Sequence, residues 1–194
     1  LKGTDGGSDT TFLTIDGSAA GLATFNAGVV ATTGAFSSTV TGTAFNSIPF
    51  YTGATGSIFT HDVSGTDNNA EYNTAYGLTA MDAITTGANN SAFGNNALGA
   101  NTTGAYNTAI GRQAMESNTT ASGGTAVGVS ALEKNTTGAS NTAVGRAALK
   151  ANTTGAENVA VGKDALKGNT TGDNNIAIGE NSLSNNTTGV RNIV

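Results

Sequence analysis

The chain has 194 residues and a formal charge of −5, and Thr, Ala, Gly and Asn together supply 115 of those residues. With 37% hydrophobic, 6% aromatic and 11% charged residues, one His, one Pro and no Trp or Cys, it is poorly supplied for a conventional core or for most catalytic chemistry. A disulfide framework, a thiolate metal site and a Cys nucleophile are excluded, and no apolar run is long enough to span a bilayer as a helix.

The start at Leu1, without an initiator Met or a signal-peptide layout, reads as an internal piece of a longer chain. Residues 1–72 hold six of the seven Phe and carry one Lys against six acids. Thr11–Asp16, Ala23–Phe25, Phe36–Val40 and Ile58–Thr60 read as short strands between Gly-rich turns. Ala23-Thr24-Phe25-Asn26 and Thr43-Ala44-Phe45-Asn46 hint at an irregular repeat. Pro49 marks a junction. This segment is expected to be a β-rich shaft.

From Asn73 onward the chain repeats every 17 residues, with coils opening at Asn73, Asn90, Asn107, Gly124, Asn141, Asn158 and Asn175, and Asn192 starting an eighth. The consensus is N-T-A-φ-G-x-x-A-L-x-x-N-T-T-G-x-x, with φ an aromatic or β-branched residue. Intrinsic disorder fits the composition but not this strict apolar spacing, and a fixed period of this kind signals a solenoid. Positions two and four of the extended N-T-A-φ-G segment share one face, so φ (Tyr76, Phe93, Ile110, Val127, Val144, Val161, Ile178) is expected to point inward, with the invariant Ala facing away.

The invariant fifth-position glycines, Gly77, Gly94, Gly111, Gly128, Gly145, Gly162 and Gly179, are expected to turn the chain through φ > 0. The stretch that follows, as in Arg146–Ala151, consists of good helix formers and predicts a short helical turn. Leu or Met at position nine (Met81, Leu98, Met115, Leu132, Leu149, Leu166, Leu183) is the second inward anchor. Stacked at about 4.8 Å per coil, seven coils make a rod of roughly 34 Å, with Asn at positions one and twelve forming internal amide ladders. Two large apolar anchors per coil are a thin core for one chain, so the Ala face is expected to pack against another copy. The fold class expected is a β-solenoid of parallel β-roll-like coils, one short strand plus a short helical turn each, in an elongated homotrimer.

Asn107-Thr108-Ala109-Ile110-Gly111 and its copies, with the following A-L-x-x-N-T-T-G, resemble the repeats of phage tail fibres and are similar to the shorter S-V-A-I-G head repeats of trimeric autotransporter adhesins. The resemblance covers residues 73–194. Thr11–Val40, including Leu13-Thr14-Ile15-Asp16-Gly17-Ser18-Ala19-Ala20-Gly21, also resembles the shaft of marine phage fibres. The resemblance implies a parallel homotrimer about a three-fold axis, on a virion tail fibre or another extracellular surface, with left-handed β-roll coils. Three extra residues per coil depart from the adhesin heads and favour a strand plus a helical turn. Fibres of this kind often end in a self-cleaving chaperone domain and a receptor-binding tip, neither of which is recognised in residues 1–194.

No catalytic, cofactor or metal site is expected. His61 is the single imidazole and lacks H-x-H or E-x-x-H spacing, so coordination or triad chemistry has no support. Asp5, Asp9 and Asp16 lack calcium-loop spacing, and Gly3–Gly7 lacks the Lys-Ser or Lys-Thr of a phosphate loop. Glu116, Glu133, Glu157, Asp164, Asp173 and Glu180 fall in different slots and read as solvated. The paired threonines (Thr102-Thr103 through Thr187-Thr188) raise an ice-binding alternative, against which adjacent side chains point to different faces. The six Asn-Thr-Thr triplets, like Asn89-Asn90-Ser91 and Asn185-Asn186-Thr187, are N-x-T/S sequons that read as turns.

Residues 73–191 carry seven bases and seven acids. No basic face for nucleic acid is evident. The expected function is therefore structural: a spacer in a tail fibre, or alternatively a bacterial adhesin head. Its partner is itself. Host glycan or protein recognition is expected on a tip beyond Val194, because binding hot spots need aromatic or Arg anchors, and the array's aromatics are confined to Tyr76, Phe93 and Tyr106.

Overall fold

The computed structural model describes Tyr51–Thr52, Ile58–Phe59 and residues 69–194. The strands expected at Thr11–Asp16, Ala23–Phe25 and Phe36–Val40, the irregular repeat, Pro49, the Gly3–Gly7 stretch, the calcium-loop candidates and His61 lie outside the described residues. Among the described residues nine strands form one sheet in chain order: β1 (Tyr51–Thr52), β2 (Ile58–Phe59), β3 (Thr74–Tyr76), β4 (Ser91–Phe93), β5 (Thr108–Ile110), β6 (Thr125–Val127), β7 (Thr142–Val144), β8 (Val159–Val161) and β9 (Ile176–Ile178). β1 and β2 pair antiparallel, and every later pair is parallel. From β3 on, each residue sits beside its equivalent one repeat later, as Ala109 beside Ala126 and Ala126 beside Ala143. The chain is thus a parallel β-solenoid, with six stacking steps between β3 and β9.

The strands are three residues long because the backbone must turn at both ends of each. At position five, the glycines from Gly77 to Gly179 have φ between 124° and 137°. A side chain at Gly145 would also strike the Gly162 carbonyl oxygen, 2.5 Å from where its Cβ would stand. Both the dihedral and the stacking distance therefore require glycine.

The helical turn expected after each glycine is absent, and no helix occurs among the described residues. Positions seven and nine are left-handed instead, as Ala147 and Leu149 (φ 57° and 51°) and Asp164 and Leu166 (57° and 47°) show. A right-handed helix cannot contain such residues. Their amides are committed elsewhere: Leu132 N–H donates to Ala148 in the next coil and Leu149 N–H to Ala165. Stacking outcompetes local helix propensity here, because each coil finds a full set of partners in its neighbours.

The strand faces opposite to expectation. Ala75, Ala92, Ala109, Ala126, Ala143, Ala160 and Ala177 are fully or almost fully buried, whereas Ile110 and Ile178 are 43% and 63% exposed and Val144 and Val161 each 37%. Val127 is half-buried. Ile110, Val127, Val144, Val161 and Ile178 are therefore not inward anchors of the single coil. Its interior beside the strand is only wide enough for a methyl group, which is why the small residue is the invariant one. Leu132, Leu149 and Leu166 are buried, with Leu183 packed on their end, and alanines at positions three and eight complete the apolar core.

Substitution at two glycines separates strain from stacking. Gly179→Ala meets no atom within 4 Å but keeps φ at 124°, and should cost about 1–3 kcal/mol. Gly145→Ala adds the clash with Gly162, a further cost of about 1–3 kcal/mol. Thermal unfolding followed by circular dichroism should rank wild type above Gly179→Ala above Gly145→Ala. Equal losses would show that the close approach does not matter.

Candidate functional site

Each coil has an interior and three outward segments: the strand, the stretch from position six to eleven, and the Thr-Thr-Gly return. The interior is held by asparagine. At position twelve, Asn118, Asn135, Asn152 and Asn169 are fully buried, and each Nδ2 donates to the Oδ1 of the preceding coil's asparagine at 2.8–3.0 Å. The same Nδ2 reaches the carbonyl three residues on, as from Asn135 to Gly138. At position one, Oδ1 accepts the next coil's backbone N–H, as Asn141 does from Asn158 and Asn158 from Asn175, each at 2.9 Å. Asn101, Asn118, Asn135, Asn152 and Asn169 of the Asn-Thr-Thr triplets are thus committed to the core, and a buried amide offers a glycan nothing to attach to, while Asn186 in the last coil is half-buried.

The first threonine of each pair is committed as well. Thr102, Thr119, Thr136 and Thr153 donate their hydroxyls to the carbonyl of the equivalent threonine one coil on, at 2.9–3.1 Å. The second threonines, such as Thr103, Thr120, Thr137 and Thr154, are exposed and form a single outward row.

The strand segment presents positions two and four outward. Position four forms a continuous apolar row from Tyr76 to Ile178, in which the Tyr76 and Phe93 rings stack with centroids 6.5 Å apart. At position two, Thr74, Ser91, Thr108, Thr125, Thr142, Val159 and Ile176 lie beside it, half-buried.

The six-to-eleven segment carries the charge. Reading its carboxylates as merely solvated is wrong for most of them. Glu116 accepts from Gln113 at 2.8 Å and from Asn96 at 2.9 Å, Lys150 pairs with Glu133 at 3.2 Å, and Lys163 pairs with Glu180 at 2.5 Å. On the return, Asp173 accepts the Ala156 N–H at 2.7 Å, while Glu157 is exposed at a left-handed position. Asp164 is buried and faces Arg146 at 3.2 Å and Lys167 at 3.1 Å. Its Oδ1 lies beside the Lys167 ammonium without an aligned hydrogen bond.

The Lys167 ammonium above all, helped by the charges of Arg146 and Lys163, holds the Asp164 carboxyl below its usual range against the opposing effect of burial. For Glu133, burial is the largest single influence and opposes the charge. The Ser130 hydroxyl and Lys150 together outweigh it, so this carboxyl also sits low.

Five of the array's seven bases, Lys134, Arg146, Lys150, Lys163 and Lys167, fall on this segment in coils four to six against two acids, Glu133 and Asp164, a net of +3. Lys134, Lys150, Ala151, Lys167, Gly168, Asn181, Ser184 and Asn185 line a cleft of about 560 Å³. At equivalent positions in coils one to three, Thr79, Asp82, Asn96, Gly99, Ala100 and Glu116 line a smaller hollow of about 250 Å³. Sequence reasoning missed the basic cleft because Lys134 sits at position eleven and Lys150 and Lys167 at position ten, 16 and 17 residues apart. Folding the 17-residue period onto itself exposes the cluster. No group of three or more metal-ligating side chains occurs among the described residues, and no helix long and apolar enough to cross a membrane occurs among them. Comparison with protein-family models, curated proteins and solved structures finds no match to the chain.

Two measurements test these assignments. Asn135→Ala strips Asn118 Oδ1 and Asn152 Nδ2 of one partner each, and should cost about 2–4 kcal/mol as buried polar groups lose their bonds. Thr137→Ala on the exposed row should stay within about 0.5 kcal/mol of wild type. Comparable urea midpoints for the two variants would contradict the ladder's role.

Because the Asp164 carboxyl is lowered in the folded chain, its contribution is complete above the ordinary carboxylate value. It is lost as pH falls through the folded one. Urea midpoints between about pH 7 and pH 2 should therefore fall less steeply for Asp164→Asn than for wild type, and parallel curves would refute the assignment.

Proposed function

We propose that residues 73–194 are a structural segment of an extracellular homotrimeric fibre of the phage tail fibre kind, a spacer and support for host-cell adhesion with no catalytic role. The observation that carries this reading is the apolar row at position four. It runs over six stacking steps, about 29 Å at ~4.8 Å each, and it holds only aromatic or β-branched residues. A contiguous exposed patch of this kind marks an interaction surface.

The regularity of the row favours another copy of the same chain as the partner. A symmetric parallel assembly sets each coil against its own equivalent, so every coil must offer the same kind of residue at the contact. The face used is the one carrying φ and position two. The alanine row is already spent on the coil's own interior. A trimer closes three such rows around one axis and completes the core that a single chain leaves thin. The threonines lend less support to an ice-binding role, since one row donates to backbone and the other stands alone rather than as a paired lattice.

Light scattering on the purified chain at micromolar concentration should give three chains. The double variant Val144→Asp, Val161→Asp places charge in the row without touching the coil interior, and should yield single chains whose circular dichroism matches wild type. A monomeric wild type, or a double variant that stays trimeric, would overturn the proposal.

A further inference from the structure

The basic cleft goes beyond a spacer role. We propose that the cleft on coils four to seven is a binding site for an anionic saccharide. Lys134, Lys150 and Lys167 would engage its carboxylate or phosphate groups, and Asn181, Ser184 and Asn185 its hydroxyls. At about 560 Å³ the cleft lies within the range of small-ligand sites, about 300–1,000 Å³. It lies on the six-to-eleven segment, away from the strand row assigned to self-association, so the site does not depend on the assembly.

Four observations define the ligand. The lysines fall in three consecutive coils, so the chain presents cations along the stacking direction at about 4.8 Å per coil, a spacing suited to an extended polyanion. Lys150 and Lys167 are held in place by Glu133 and Asp164, which lowers the ordering cost of binding. Lys134 makes no ion pair among the described residues, so its ammonium is the one in the cleft not already held by a carboxylate. Neutral amide and hydroxyl groups beside the lysines match a ligand rich in hydroxyls. Single-stranded nucleic acid is a poorer fit, because it needs aromatic platforms for its bases and the chain has no aromatic residue after Tyr106.

The test titrates the full 194-residue chain with four probes: an oligogalacturonate, a phosphorylated hexose oligomer, a neutral dextran oligomer and oligo-dT. Binding is followed by calorimetry at low and high salt. The expected result is saturable binding of one or both anionic saccharides, weakened by salt, with the better of the two identifying the carboxylate or phosphate preference.

Lys134→Gln breaks no ion pair and should weaken that binding about tenfold, while Arg112→Gln in coil three should leave it unchanged. Thermal unfolding of both variants guards against misfolding as the cause. No binding at millimolar probe, equal binding of dextran, or indifference to Lys134→Gln would overturn the site. Tighter binding of oligo-dT with the same dependence on Lys134 would overturn the saccharide and make the cleft a nucleic-acid site.

Discussion

In coils two, three, five and six the side-chain amides of two buried asparagines hold each coil to its neighbours, and the rest of the solenoid depends on them. An asparagine amide carries two donors and an acceptor with two lone pairs. That inventory suits a position with one equivalent group above, another below and a turn carbonyl beside it. Asn135 uses both donors and its acceptor, donating to Asn118 and Gly138 and accepting from Asn152. Aspartate could not donate and leucine could do neither. A core this narrow has little apolar area to hold it together, so satisfied polar groups must fix the turns.

The same requirement explains the backbone. Each coil places three further residues in the left-handed region, at positions seven, nine and seventeen, as at Ser130, Leu132 and Ser140. An isolated chain would disfavour all three. They persist because the N–H groups around them have carbonyl partners one coil away, so the strain is offset only where a neighbour exists. Stability in such a stack grows by nearest-neighbour terms, and terminal coils lose half of them. Leu183, in the last complete coil, is only half-buried, although Leu132, Leu149 and Leu166 are fully so.

The period, its register and the amide ladders were legible in the sequence, because identical spacing leaves a stack no other way to align. The sign of the strand was not. Parity correctly grouped positions two and four, but hydrophobicity then favoured φ as the interior residue, when the invariance of alanine was the better guide. A position tolerating only a methyl group is one where space is limiting. The helical turn failed for a related reason: propensity describes a segment by itself, and this segment takes its hydrogen bonds from other coils.

Coil four shows a compensation that a consensus hides. Gly124 replaces the position-one asparagine, and a Cβ there would stand 2.6 Å from the Met115 methyl. The longer thioether of coil three thus occupies the space the missing amide leaves.

The strand row and the six-to-eleven segment differ in regularity. Position four keeps one chemical character through every coil, which is the regularity that the proposed contact between aligned copies requires. Positions six, seven, ten and eleven change identity from coil to coil. They run from Asp82 and Glu116 in the early coils to Lys150 and Lys167 in the later ones, although the backbone beneath them is the same. Nothing in the stacking asks for that variation, since these side chains lie outside the ladder and the apolar core. A scaffold that needed only length would have no use for five bases gathered in three coils. Three of them, Lys134, Lys150 and Lys167, line one cleft, and Lys150 and Lys167 are braced there by carboxylates, so a uniform stack acquires one distinct place along its length.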